Sequence, residues 1–280
     1  MTVSIFVPAH ITGFFSIHNS QNPLKNGSTG AGFLLDKGVT TSIKHTTKDK
    51  TSIKINGKVD KWNETIILKV LDLLHVDGHV KISQEIQVPI GAGFGSSAAS
   101  ALSIAIGISK LFNLNHDRIK SGQIAHLAEV SLSTGLGDVS AQLGKGMVIR
   151  NTPGAPGICE IESYKQDLYV GCKCFGEIST KSIIQNPKFK KIISLTGSTI
   201  QKDFMKNPTP KNFLDKSLEF CRKTNLLTEE VKTAVNDLKN RDVLGSSMAM
   251  LGNTVFAFSE NKESLEGLEI YEINNTGIKI

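Results

Sequence analysis

Val3, Ile5 and Val7 alternate with residues of the opposite face, and the run stops at Pro8, which predicts a strand. Residues 8–32 are rich in Gly, Asn, Ser and Pro and predict a long loop of functional character. Phe33–Ile43 and Thr51–Ile55 read as strands, with Asn56-Gly57 as a hairpin turn signal. Trp62, Ile66, Ile67, Val70, Leu71 and Leu74 fall at helical spacing. Val80, Ile82, Ile86 and Val88 predict a strand that Pro89 ends. Ser97–Phe112 reads as a buried helix almost without charge, Asp117–Ser131 as a second helix, and Gly146–Arg150 as a strand. Further on, Tyr169–Cys174, Ile192–Thr196, Thr254–Phe258 and Leu268–Tyr271 predict short strands. Phe213, Leu214, Leu218 and Cys221 form one apolar helical stripe; Val231, Ala234, Val235 and Leu238 form another, with Thr228 as its N-cap. Strands and helices interleave, so the expected class is α+β in two layers. The densest Pro/Gly punctuation, Asn151–Gly157, suggests a boundary between residues 1–153 and 154–280.

Composition narrows the functional classes. The chain has 280 residues, with 32 Lys+Arg against 26 Asp+Glu, a mild excess of +6. That balance excludes a basic tail protein and an acidic disordered chain. Aromatics are 6% of residues, too few for a base-stacking platform. The lysine-rich stretch 181–223 raises an RNA-binding reading, but Phe213 and Phe220 fall at core spacing and solvated helix faces account for the lysines. Cys159, Cys172, Cys174 and Cys221 show no CxxC, and every histidine precedes them, so neither a zinc site nor a disulfide scaffold is expected and a reducing cytoplasm fits. The N-terminus shows no signal-peptide pattern. Val88–Ser109 carries no charge, yet its first half has a loop composition that leaves too little helix to cross a membrane.

The chemistry concentrates in Pro89-Ile-Gly91-Ala92-Gly93-Phe94-Gly95-Ser96-Ser97-Ala98, between a predicted strand and a predicted helix. Alternate glycines let a backbone approach a ligand closely. The helix after the loop points free N–H groups and its positive end back at it, which makes an anion site. The chain has no Walker A spacing, and the loop does not match the dinucleotide-binding spacing. The bland alternative is a turn that only packs a strand on a helix. Between Pro89 and Cys159 the acidic residues are Asp117, Glu129 and Asp138. Asp117 reads as a helix start. Glu129 and Asp138 flank a helix end and the run Gly135-Leu-Gly137; two carboxylates so placed suit a metal ligand and an acceptor for a hydroxyl proton, or equally a solvated helix residue and a cap.

PIGAGFGSSAASAL resembles the second motif of the GHMP kinases, the superfamily of galactokinase, homoserine kinase and mevalonate kinase, with Phe94 where Leu is usual. The resemblance implies a two-domain fold, a ribosomal S5-like N-terminal domain and a ferredoxin-like C-terminal one. It implies ATP over Pro89 and Gly91 to Ala98, Mg²⁺ on Ser97 and Glu129, and Asp138 as catalytic base. Where the first motif often carries Lys, this chain has His10, taken as a second catalytic residue or as a satisfied buried histidine. The third, glycine-rich motif is reduced to Gly245 and Gly252, with Met248 and Met250 as packing. VPAHITGFF, GSTGAG, RNTPGAPG and MLGNTVFA together resemble the archaeal, pantoate-phosphorylating branch. That branch implies phosphorylation of the 4-hydroxyl of (R)-pantoate in coenzyme A biosynthesis, in the cytoplasm. The pantoate carboxylate needs a cationic pocket, for which Arg150 and His10 are candidates and Gly252 a further contact; Arg150 could equally be a surface strand residue. Other small alcohols (mevalonate, homoserine, shikimate) and a non-catalytic ligand or RNA binder are the competing readings. The expected partners are ATP and the acceptor, with a homodimer left open and neither nucleic acid nor membrane.

Overall fold

The computed structural model describes residues 1–48, 50–59, 61–176 and 187–280, with residues 61–63 as backbone only. Strands β1 (Thr2–His18) and β2 (Gly27–His45) form a long antiparallel hairpin. The expected loop over residues 8–32 is therefore mostly strand, and the connection is confined to residues 19–26 with a 3₁₀ turn at Pro23–Lys25. The physical reason is that β1 is an edge strand. Phe6 turns its N–H outward to the Lys279 carbonyl, and Pro8, two residues on, faces the same edge, so its missing N–H costs no ladder bond. A register shift between Pro8 and His10 bends the strand and re-aims its second half. Beyond it the outer edge receives the functional loops: His10 N–H donates to the Phe94 carbonyl, and Met250 N–H donates to the Thr12 carbonyl.

The other edge of β2 carries β4 (Val80–Ile86) along Val39–His45 and β5 (Met147–Arg150) along Gly30–Phe33. β3 (Ser52–Ile55) adds in parallel to β4; Asn56-Gly57 turns with both φ positive but closes only a single Ile55–Lys58 bridge before the next helix, so the turn forms without the expected two-stranded hairpin. β6 (Ile161–Tyr164) lies beyond the Pro/Gly turn at 151–157 yet still pairs with β5, so the first sheet extends past it. Helix α1 (Lys61–Leu74) carries the expected buried stripe at Ile66, Ile67 and Val70; the side chain of Trp62 is outside the described residues. Helix α2 (Ser96–Leu111) packs across β1 and β2 and is buried on nearly every side, which explains its lack of charge before Lys110. Helix α3 (Arg118–Leu132) is capped by Asp117, as expected, and α4 (Asp138–Gln142) comes after one glycine-rich turn.

The second sheet has the order β10-β7-β9-β8, all antiparallel: β7 (Tyr169–Gly176), β8 (Gly245–Met248), β9 (Asn253–Ser259) and β10 (Glu269–Glu272). Helices α5 (Pro187–Phe204), α6 (Pro210–Lys223) and α7 (Glu229–Leu238) stand between β7 and β8 in the chain. Ile192–Thr196 is not a strand. It lies within α5, whose buried positions Ile193, Gly197, Ile200 and Phe204 keep a helical period visible only over the longer window. One hydrophobic cluster runs from Val3 to Ile278. Phe14 and Phe33 of the first hairpin meet Phe204, Phe213, Phe256 and Phe258, the closest pair (Phe33 and Phe258) with ring centroids 4.8 Å apart. Lysines 206, 211, 216 and 223 pair with Asp203, Asp215 and Glu219 on solvated faces; residues 181–186 of the basic stretch lie outside the described residues. No helix among the described residues is long and apolar enough to cross a membrane.

Candidate active site

β4 ends at Ile86 and the chain enters α2 through residues 87–95. Gly91, Gly93 and Gly95 have φ of 72°, 86° and 61°, a left-handed conformation that side chains resist. Gly95 is the N-cap of α2 and supplies no side-chain acceptor, so the N–H groups of the first turn remain available to a ligand. Gly91, Gly93, Phe94, Gly95, Ser96, Ser97 and Ala98 line an open cleft. Pro89 and Ala92 are not among its lining residues, and the Ala92 carbonyl, behind the loop, accepts from Thr254 Oγ1 at 2.9 Å. Gly252 is likewise behind the loop rather than in the cleft: a Cβ there would lie 2.0 Å from the Ala92 carbonyl oxygen. Met250 and Leu251 form the facing wall, so Met250 both packs and lines the cleft, whereas Met248 is core.

On the opposite side α3 presents Glu129. Ser97 Oγ donates to Glu129 Oε1 at 2.6 Å and Thr134 Oγ1 to the same oxygen at 2.8 Å. Burial pushes the Glu129 carboxyl up to about 7, against the pull of those two hydroxyls. The folded chain thus keeps a proton that the unfolded chain has already released between the ordinary carboxylate range and pH 7. Stability should fall as pH rises through that window, by about 3 kcal/mol in all, and level off above it. Glu129→Gln is expected to flatten the profile, melting higher than the parent at about pH 8 and equally at about pH 5, in thermal scans without nucleotide or divalent cation. A variant with the parental pH profile would show that Glu129 is ionised at no cost.

Asp138 opens α4, and its carboxylate accepts from His10 Nδ1 at 2.6 Å. His10 is fully buried on β1, and burial holds its pKa below that of free histidine, so the ring is neutral and donates through Nδ1–H. Burial also opposes ionisation of Asp138. The His10 hydrogen bond and the nearby Arg150 charge outweigh it and hold the carboxyl below its ordinary value. Arg150 is 1% exposed at the end of β5. Its Nε donates to the Ser28 carbonyl at 3.3 Å, its Nη1 has no partner, and no salt bridge neutralises it among the described residues. It reaches the cleft past Gly137, where a Cβ would lie 2.7 Å from its Nε. Ser28, Thr12 and Thr134 complete the polar lining. None was singled out from the sequence: Ser28 sits in GSTGAG and Thr134 between the two carboxylates, but a loop hydroxyl carries no periodic signal.

A glycine-loop helix start, two differently tuned carboxylates and a buried guanidinium with an unpartnered Nη1 around one cleft can hold a polyphosphate, a cation and an anionic acceptor. Residues 65–146 match the family model for the GHMP kinases N terminal domain. The chain is 40% identical over 265 residues to the pantoate kinase of Methanocaldococcus jannaschii, covering 94% of each chain. It is 34% identical over 272 residues to the pantoate kinase of Thermococcus kodakarensis, covering 94% of this chain and 90% of that one. A solved phosphotransferase related to the CoA biosynthesis pathway superposes with a TM-score of 0.90 at 31% identity, covering 100% and 98% of the two chains. The chain belongs to the GHMP kinases and, within them, to the pantoate kinases.

Proposed function

We propose that the protein transfers the γ-phosphoryl group of ATP to the 4-hydroxyl of (R)-pantoate, giving 4-phosphopantoate and ADP in coenzyme A biosynthesis. The observation that carries this reading is Arg150, a buried cation with a free Nη1, in the same cleft as the Asp138–His10 pair and the glycine loop. Leaving a guanidinium buried and unpaired is costly unless a carboxylate completes it. Pantoate offers a carboxylate and a primary hydroxyl on one short skeleton, so Arg150 would bind one end and Asp138 would face the other. The pantoate kinases among its relatives support the same acceptor.

In this reading the ATP phosphates lie on the loop and the first turn of α2. Ser97 and Glu129 fit a magnesium ion: two hard oxygen donors 2.6 Å apart on the cleft wall, the remaining positions being left to phosphate and water. When bound, the ion neutralises phosphate charge. Asp138 Oδ1 is held by His10, which leaves Oδ2 to orient the acceptor hydroxyl and take its proton as the new O–P bond forms. Residues 1–153 would supply loop, base and Arg150, and residues 154–280 the wall at Met250 and Leu251. The test is ADP release with ATP and Mg²⁺ and equal concentrations of pantoate, mevalonate, homoserine or shikimate. Pantoate alone is expected to support turnover. Turnover with another of these acceptors would keep the kinase and replace the substrate; turnover with none would overturn the reading.

A further inference from the structure

Gln142 closes α4, four residues after Asp138, and is fully buried. It does not line the cleft. Its Nε2 donates to the Gly95 carbonyl at 2.9 Å. That carbonyl is already the acceptor for the Ala99 N–H of α2, so the fold does not need Gln142 to satisfy it. Its other end, Oε1, is buried without a partner, which a residue chosen for stability alone would avoid. Gly95 is where three parts converge: a Cβ there would lie 3.2 Å from the His10 carbonyl, 3.3 Å from Gln142 Nε2 and 3.4 Å from Asp138 Cγ. The preceding residue, Phe94, accepts the His10 N–H through its carbonyl at 3.0 Å, and the His10 ring holds Asp138. The bonds form a closed circuit: loop to α4 through Gln142, α4 to β1 through Asp138 and His10, β1 back to the loop through Phe94.

We propose that Gln142 is a positioning residue that sets the phosphate loop against Asp138, fixing the distance between the donor phosphate and the acceptor hydroxyl. This rests on Asp138 acting on that hydroxyl, as proposed above. A short helix with the base at one end and the loop tether at the other moves both as one piece. Without the tether the loop still binds ATP through its own backbone, and the acceptor still meets Arg150. What is lost is alignment, where displacements of about 1 Å can cost about a hundredfold in rate.

The experiment is Gln142→Met, which keeps the volume and removes both polar ends. The expected result is an unchanged or higher Tm, KM values for ATP and pantoate within about twofold, kcat lowered about tenfold or more, and more ADP released per phosphopantoate formed as water competes for the misaligned phosphoryl group. A purely structural role would lower Tm and leave the ADP-to-product ratio at one. A parental kcat at parental Tm overturns the inference. If Gln142→Met does not fold, Gln142→Glu replaces it. Its carboxylic acid form can still donate to Gly95, so the ratio of variant to parent kcat should fall with rising pH, and a ratio that does not change with pH overturns the inference. Asp138→Asn is measured alongside. An impaired Asp138→Asn with an unimpaired Gln142→Met overturns only the tether, whereas an unimpaired Asp138→Asn overturns both readings.

Discussion

Asp138→Asn is expected to lower kcat by about three orders of magnitude while leaving KM for ATP within about twofold, the range set by losing a positioned general base. The argument is geometric. His10 Nδ1–H donates to Asp138 at 2.6 Å, and an Asn carbonyl oxygen can accept the same bond, so the helix start and the ring keep their places. The glycine loop abuts Asp138 at Gly95 but makes no hydrogen bond to its carboxylate among the described residues, so ATP binding should be little affected. Only the transition state is affected, because the amide cannot take the hydroxyl proton. The residual rate should come from positioning and charge stabilisation, which the substitution leaves in place. Steady-state ADP release with a matched Tm is the check. A kcat within about threefold of the parent would remove Asp138 from proton transfer and leave it as a partner that anchors His10.

Arg150→Met should have the second-largest effect, and it should separate binding from stability. Losing one or two charge-assisted hydrogen bonds to the pantoate carboxylate predicts a KM for pantoate raised about a hundredfold or more, with ATP unaffected. Stability should change little, since the variant removes a buried cation with an unpartnered Nη1 and gives up in exchange the bond to Ser28 and the attraction to Asp138. The primary amide of pantoate sharpens the test. The parent should use it poorly, and the substitution should matter little for it, because the amide carries no charge to lose. An unchanged KM for pantoate in Arg150→Met would place the carboxylate elsewhere in the cleft.

Local chemistry was the legible part of this chain. The glycine loop and its helix could be read from residues adjacent in sequence, because φ freedom, capping and dipole are local properties. The caps at Asp117 and Thr228, and the stripes of α1, α6 and α7, were legible for the same reason. Two assignments failed where a global arrangement overrides local pattern. Pro8 and the polar residues after it read as a loop because no sequence pattern says that β1 is an edge strand whose outer side is reserved for the Phe94 and Met250 loops. Ile192–Thr196 read as a strand because a short apolar run looks alike in both states.

The sequence by itself determined which residue types were on hand: a phosphate loop with two serines, two carboxylates, a histidine in place of a lysine and an arginine at a strand end. Tertiary structure decided what each became. It placed His10 against Asp138 across 128 residues, left Arg150 Nη1 without a partner, and tied Gln142 to Gly95 across 47. The physical reason is that a pKa, an orphaned donor or a tether depends on what stands within a few ångströms. Those neighbours are set by strand pairing and helix packing, not by distance along the chain.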